Sequence, residues 1–473
     1  MLRPWNIDIV LDDQCGKAIY LQIADAIIRD IQSGRLKGGE ALPGSRHLAQ
    51  VLNVNRNTVV EAVDVLLTEG WLVSRERRGT FVAEKLPSLR GAKVPLPKTT
   101  PAAPLLNKYQ IQFDDGHPNS KIAPVAELAR AYRQIFQRKA RWQMMSYVDA
   151  LGDIDFRREI AQMLSHQRSM QVTENDLCVT RGSQMATYLT AQCLLQPGDY
   201  VMIENPGYKP AWSAFEQAGA RLLPVRVDQD GLSIDEVAAY LKTYPGQVKA
   251  IFTTPHRQYP TTVTLSLHRR LELIRLSNEH GFKIIEDDYD NEFHFGHRPI
   301  HPVCAFPGLR NYVYIGTLSK VVAPALRIGY LVTNDQELLH KVSDLRKIID
   351  VQGDTIMEQV ILQLIKDGTI RRHIRKASQY YRAKRDFTVS LIDKYLGGKV
   401  TYTVPEGGLA FWIVPHRPVS WEDITSKMHS QGILIINPDT FSLGESANGF
   451  RLGYGSLSEQ QLEEGIKAIS KLL

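Results

Sequence analysis

Residues 86–106 read Leu-Pro-Ser-Leu-Arg-Gly-Ala-Lys-Val-Pro-Leu-Pro-Lys-Thr-Thr-Pro-Ala-Ala-Pro-Leu-Leu, with five prolines and neither a helical nor an alternating period. Proline fixes φ and offers no backbone donor, so this stretch suits neither a helix interior nor a central strand and reads as a semi-extended connector. No single core can run through it. The expected division is a first domain over 1–85, a linker over 86–107 and a second domain over 108–473. The length of 473 residues agrees, being too great for one ordinary core.

With 43% hydrophobic and 23% charged residues the chain reads as folded and soluble. Its net charge of +6 is modest for the size, so only the placement of charge can argue for a polyanionic partner. Cys15, Cys178, Cys193 and Cys304 lie far apart without metal-ligand spacing. They are expected to be buried free thiols in a reducing cytoplasm, and no metal site is expected. No run reaches the roughly 18 apolar residues of a membrane span, and the acidic start carries no apolar signal segment, so a cytoplasmic location without a membrane partner is expected.

Before the linker, Tyr20, Ile23, Ala24, Ile27, Ile28 and Ile31 recur at helical spacing, and Gly34 follows as a stop. Ser45 is expected to cap a second helix with Leu48, Ala49 and Leu52 inward. Asn53-Val-Asn55 supplies a turn, and a third helix is expected to bury Val59, Val63, Leu66 and Leu67 before Gly70 ends it. Two short strands follow, around a basic tip. Three helices and a hairpin make an α+β winged helix-turn-helix. Its third helix then presents Asn55, Arg56, Asn57 and Thr58 at an exposed first turn, where base edges of double-stranded DNA are read. Arginine bonds guanine bidentately and asparagine bonds adenine. Arg46, and on the wing Arg75, Arg77 and Arg78 beside Gly79, are candidates for phosphate or minor-groove contacts.

After the linker, short apolar runs such as Tyr200–Ile203, Ala250–Thr253, Phe282–Ile285 and Tyr312–Ile315 alternate with helical patterns, which implies a largely parallel α/β sheet. Ligands sit where such strands end. There the chain places Asp287 and Tyr289 after one run, and Thr317, Ser319 and Lys320 after another, with Arg327 seven positions on. This set matches what pyridoxal 5′-phosphate requires. Lys320 offers the Schiff-base amine and is the candidate catalytic residue; Asp287 suits the ring nitrogen and Tyr289 the phenolic oxygen. Ser183 and Gln184, opening a helix after Gly182, suit the phosphate together with Thr317, Ser319 and Arg327. Tyr208 is placed to stack on the ring. A closing helix after Ser458, with a capping box to Gln461, completes the pattern.

Tyr20 with Gln22, Leu42-Pro-Gly-Ser-Arg-His-Leu-Ala49, Arg56-Asn-Thr-Val59, Glu69-Gly70 and Gly79-Thr-Phe-Val82 resemble the winged helix of GntR-type regulators. Asn55 stands where that family usually has Ser or Thr. Pro197-Gly-Asp199, Asp287-Asp-Tyr289 and Ser319-Lys320 resemble the fold type I aminotransferases. Arg451, in Phe450-Arg-Leu-Gly-Tyr454, matches the arginine that takes a substrate carboxylate there, and so is the candidate effector-carboxylate residue. The whole order resembles the MocR/GabR subfamily. That resemblance implies a homodimer, often domain-swapped, that binds a DNA operator and uses its aminotransferase-like domain to sense an amino compound or pyridoxal phosphate itself. It also implies control of amino-acid-related or vitamin B6 genes. The alternative is a working aminotransferase with a DNA-binding head; in the sensor reading, no more than a half-transamination is expected.

The chain departs from the subfamily pattern around the pocket. Arg257-Gln-Tyr-Pro-Thr-Thr262 replaces the usual histidine and glycine, and Ala410 stands where histidine is common. Lys209-Pro210 lies where the 4-aminobutyrate sensor has a second carboxylate-binding arginine nearby, which points away from 4-aminobutyrate as effector.

Overall fold

The structure, a computed structural model, describes residues 9–12, 15–76, 78–86, 109–137, 142, 145–296, 300–444 and 447–473. The expected linker, apart from Leu86, and the expected DNA contact Arg77 lie outside the described residues. The chain divides into two compact units, Met1–Pro104 and Leu105–Leu473.

In the first unit, α1 (Ile19–Gln32) buries Ile23, Ala24, Ile27 and Ile31 on one face, as its spacing requires. Gly34 then turns the chain at φ 78°, a conformation glycine adopts without steric cost. The second helix, α2 (Ser45–Leu52), is capped differently from expectation. Gly44 is its N-cap and makes no side-chain cap, while the Ser45 hydroxyl accepts from Arg56 Nε at 3.4 Å. Asn53 turns at φ 53°, and Asn55 caps α3 (Arg56–Thr68) by accepting from the Asn57 amide. α3 buries Val59, Ala62 and Leu66, with Val63 and Leu67 half-buried, so a small residue completes the face that larger ones were expected to fill. Strands β1 (Leu72–Arg75) and β2 (Gly79–Val82) pair antiparallel and close the core with Leu72 and Val82.

The second unit begins with the short strand β3 (Ile111–Phe113). Its main sheet contains β4 (Leu177–Thr180), β5 (Tyr200–Asn205), β6 (Arg221–Asp228), β7 (Gly231–Leu232), β8 (Val248–Thr253), β9 (Lys283–Asp287), β10 (Tyr312–Thr317) and β11 (Gly329–Val332). The order is β4-β11-β10-β9-β8-β5-β6-β7. The pairs from β10 through β9, β8 and β5 to β6 are parallel, and β11 runs antiparallel between β10 and β4.

Helices α4 (Val125–Gln137), α5 (Ile154–Arg168), α6 (Ser183–Leu194), α7 (Lys209–Gln217), α8 (Ile234–Thr243), α9 (Leu267–His280), α10 (Gln336–Ile349) and α11 (Thr355–Lys366) accompany this sheet. Side chains alternate between two cores. Along β10, Val313 and Ile315 join Ala186, Phe215 and Leu339 from α6, α7 and α10, while Tyr312 and Tyr314 join Ile160, Leu273 and Val360 from α5, α9 and α11. Each Val, Leu, Ile or Phe among them contributes roughly 1.5–3 kcal/mol when fully buried.

A long helix, α12 (Thr369–Leu396), leads to a smaller lobe. There β12 (Val400–Tyr402), β13 (Ala410–Pro415) and β15 (Phe450–Gly453) form an antiparallel sheet, and β14 (Ile433–Ile435) pairs with β3. Helices α13 (Trp421–Ser430) and α14 (Glu459–Ser470) pack on it. α14 has the capping box between Ser458 and Gln461. Cys178 and Cys304 are buried, but Cys193 is half-buried and Cys15 exposed, so the expectation of four buried thiols holds for two. No helix among the described residues is long and apolar enough to cross a membrane.

Candidate functional site

The parallel pairing of β9 with β10 sets Asp287 opposite Ile315, so the segments that leave these two strands share one end of the sheet. One cavity there is lined by Lys320, Asp287, Tyr289, Thr317, Ser319, Arg327, Tyr208 and Ser183. Lys320 Nζ lies 4.7 Å from the centroid of the Tyr289 ring, a cation–π contact. At the end of β9 Asp287 is buried, and its Oδ1 has no hydrogen-bond partner among the described residues. Burial, and then the charge of Asp288, push the Asp287 carboxyl up to about 7 against the pull of Lys320. Asp288 itself is committed elsewhere, to Arg168 and to the Tyr314 hydroxyl at 2.8 Å.

Another part of the cavity lining comes from α6 and the turn before β11, where the sequence predicts a phosphate site. Gly182, at φ 85°, lets α6 start with its amides free of a side-chain cap. A Cβ at this glycine would lie 2.7 Å from the Arg327 guanidinium, so backbone and guanidinium can approach only because the side chain is absent. Arg327, itself at φ 50°, donates to the Arg181 carbonyl at 3.0 Å. The Thr317 hydroxyl donates to the Ile328 carbonyl at 3.0 Å and the Ser319 hydroxyl to the same oxygen at 3.4 Å. Gln184 does not line the cavity; its amide donates to Pro210, which fixes α6 to α7. Tyr208 packs edge-on to Tyr259, and burial, then the charges of Asp287 and Asp115, push its hydroxyl up to about 12.

Asp115, His117, Thr254, Tyr259 and Pro324 also line the cavity and were not singled out from the sequence. For Asp115 and His117 the available signal was the turn Asp114-Asp-Gly-His-Pro118 directly after a short alternating run. Tyr259 is held in place from below. The buried Glu204 carboxylate accepts from the hydroxyls of Thr253 and Thr254 and from Gln258, and Thr254 in turn accepts from the Tyr259 amide at 2.9 Å.

Arg451 is fully buried beside this pocket rather than in its lining. Its Nε donates to the Asp115 carbonyl at 3.0 Å and its Nη1 to the Pro260 carbonyl at 2.8 Å, and the guanidinium lies 4.8 Å over the Tyr259 ring. Arg257 forms a buried pair with Asp290 at 3.0 Å, while its carbonyl accepts from the Tyr289 hydroxyl at 3.1 Å. Thr262, where glycine was the expected residue, holds φ 63°.

In the first unit Arg46, Arg56, Asn57, Arg78 and Gly79 are exposed and Thr58 is half-buried. Asn55 is exposed too, but its Oδ1 is engaged by the Asn57 amide, which leaves the side-chain NH2 for another partner. Arg75 is paired with Glu84 at 2.7 Å and stacked over Phe81, so it is less free for phosphate than a wing-tip arginine was expected to be.

Residues 106–469 match the family described as Aminotransferase class I and II, and residues 19–82 match Bacterial regulatory proteins, gntR family. Among curated proteins, the probable rhizopine catabolism regulatory protein MocR of Rhizobium meliloti is 27% identical, over 98% of this chain and 95% of its own. The HTH-type transcriptional regulator TauR of Rhodobacter capsulatus is 28% identical, over 96% of each. Among solved structures, an archaeal alanine:glyoxylate aminotransferase superposes with a TM-score of 0.71 at 27% identity, covering 76% of this chain and 90% of its own.

Proposed function

This chain belongs to the MocR-type transcriptional regulators, a gntR-family head joined to an aminotransferase class I and II domain, and on that premise we propose that its large unit binds pyridoxal 5′-phosphate and senses an amino compound. The full-length relatives are named as regulators, which favours this reading over a metabolic enzyme that carries a head.

The observation that carries the cofactor reading is the buried, unpartnered Asp287 Oδ1 in the same cavity as Lys320. An acid without a partner in that position is costly unless a ligand supplies a donor, and a protonated ring nitrogen is such a donor. The set fits the group: Lys320 for the aldehyde, Asp287 for the ring nitrogen, Tyr289 for the phenolic oxygen, Tyr208 for the ring face, and the α6 start with Ser183 and Arg327 for the phosphate. Bound there, the cofactor supplies an electrophile for amines and an electron sink. Asp287 would keep the ring proton in place, and the closely packed tyrosines 208, 259 and 289 would exclude water from the Lys320 amine. The head reads an operator through the first turn of α3, and occupancy of the large unit changes how a pair of heads engages it.

The protein mixed with pyridoxal phosphate should show a visible band that borohydride abolishes, with the reduced adduct mapped to Lys320. In Lys320→Ala the band should be absent while the circular dichroism spectrum stays unchanged. A reducible adduct that persists in this variant would overturn the lysine assignment.

A further inference from the structure

Once the cofactor's requirements are assigned, two charged side chains of the cavity remain unused, Asp115 and His117. They lie on the turn after β3 and face the pocket that holds Lys320, Tyr208 and Tyr259. Asp114, next in the chain, is already committed: its Oδ1 accepts from the amides of Gly116 and His117, and its Oδ2 from the Ser456 hydroxyl. Asp115 has no such anchoring. Among the described residues its one ion-pair partner is His117, at 3.0 Å, on a ring that is itself exposed. Arg451, by contrast, bonds only the main-chain oxygen of Asp115 and leaves the carboxylate to the cavity.

The usual carboxylate receptor is withdrawn to the same degree. Arg451 is absent from the lining, its Nε and Nη1 are taken by carbonyls, and Tyr259 covers its face. An effector that enters beside Lys320 therefore meets a carboxylate with an exchangeable imidazole partner before it meets a guanidinium. Burial raises the acid but is outweighed by the His117 ring 3.0 Å away and by the charges of Lys320 and Arg451, so Asp115 stays ionised.

We propose that the effector carries a second cationic group besides its reacting amine, as a diamine or a dibasic amino acid does, and that Asp115 receives that group in place of His117. The proposal rests on the cofactor reading given above. It treats Asp115 as a specificity residue, because an ion pair formed in a half-buried pocket discriminates between charged and neutral chain ends of equal length.

Three four-carbon probes separate charge from size: 1,4-diaminobutane, n-butylamine and 4-aminobutyrate. Each is titrated against the pyridoxal phosphate-loaded protein, and the change in its visible spectrum gives an apparent dissociation constant. The diamine should act at a concentration at least about tenfold lower than butylamine, with 4-aminobutyrate weakest. In Asp115→Asn the diamine should lose that advantage. Equal responses to the three probes in the wild-type protein would overturn the proposal, whatever the variant does, as would a preference for 4-aminobutyrate or a preference retained in D115N. A wild-type protein that develops no visible band at all would instead overturn the cofactor reading, and the proposal with it.

Discussion

Asp287 is buried without a hydrogen-bond partner for Oδ1, and its carboxyl is pushed up to about 7 from an ordinary value of 3.8. Before cofactor binding the folded chain therefore holds a proton there that the unfolded chain releases between about pH 4 and pH 7. The sign follows: this residue favours folding at low pH, and the benefit is lost as pH rises through 7. Asp287→Asn, which cannot ionise, should thus gain stability relative to wild type as pH rises from 4 to 8, by up to about 4 kcal/mol in the cofactor-free protein. Urea midpoints of both proteins across that range check this; a constant difference between them would mean that Asp287 is not the titrating group. The placement of Asp287 at a strand end was legible because the motif follows an apolar run. Its missing partner was not legible, since that depends on what neighbouring strands fail to supply. Arg75 shows the converse, a candidate DNA contact whose sequence could not reveal that Glu84 engages it across the hairpin.

Among the elements, α6 puts most on one residue. Its N-cap, Gly182, combines φ 85° and ψ 172° with the close approach of Arg327, so Gly182→Ala faces both a backbone conformation essentially reserved for glycine and a displaced guanidinium. That conformation alone costs a residue with Cβ roughly 1–3 kcal/mol. Pyridoxal phosphate affinity, followed by absorbance, should fall about tenfold or more and the melting temperature should drop; unchanged cofactor affinity would place the phosphate elsewhere.

In the head, α3 and the wing should divide their work. Arg56→Ala should relax sequence preference, costing roughly 1–3 kcal/mol at the specific site, whereas Arg78→Ala should weaken all sequences alike and lower the salt slope by about 1. Titrations of specific and scrambled duplexes at several salt concentrations distinguish the two; the reverse pattern would assign base reading to the wing. The strands and helices were legible from period and punctuation. The Ser45 cap was misplaced because glycine and serine both favour helix starts, and the choice between Gly44 and Ser45 depends on backbone angles that adjacent residues do not reveal.

For the whole molecule, two compact units separated at a proline-rich stretch argue that DNA binding and ligand binding fold around separate cores. If the regulator acts as a dimer, its two heads should hold a duplex with two half-sites on the order of 10²–10⁴-fold more tightly than one with a single half-site. Equal affinity for the two duplexes would mean that one head works alone. The overall order of domains was visible in local motifs spread along the chain. The complete cavity was not, because Asp115 and His117, Tyr208, Tyr259 and Lys320 come from distant segments that only the sheet and the smaller lobe bring together.

One guanidinium makes that assembly explicit. Arg451 lies 336 residues beyond Asp115 and 191 beyond Pro260, yet bonds the carbonyls of both. A chain leaving the ribosome exposes those two carbonyls long before their donor has been translated. The pocket wall is thus among the last features to be finished during synthesis, and these two carbonyls stay without their donor until β15 has been made.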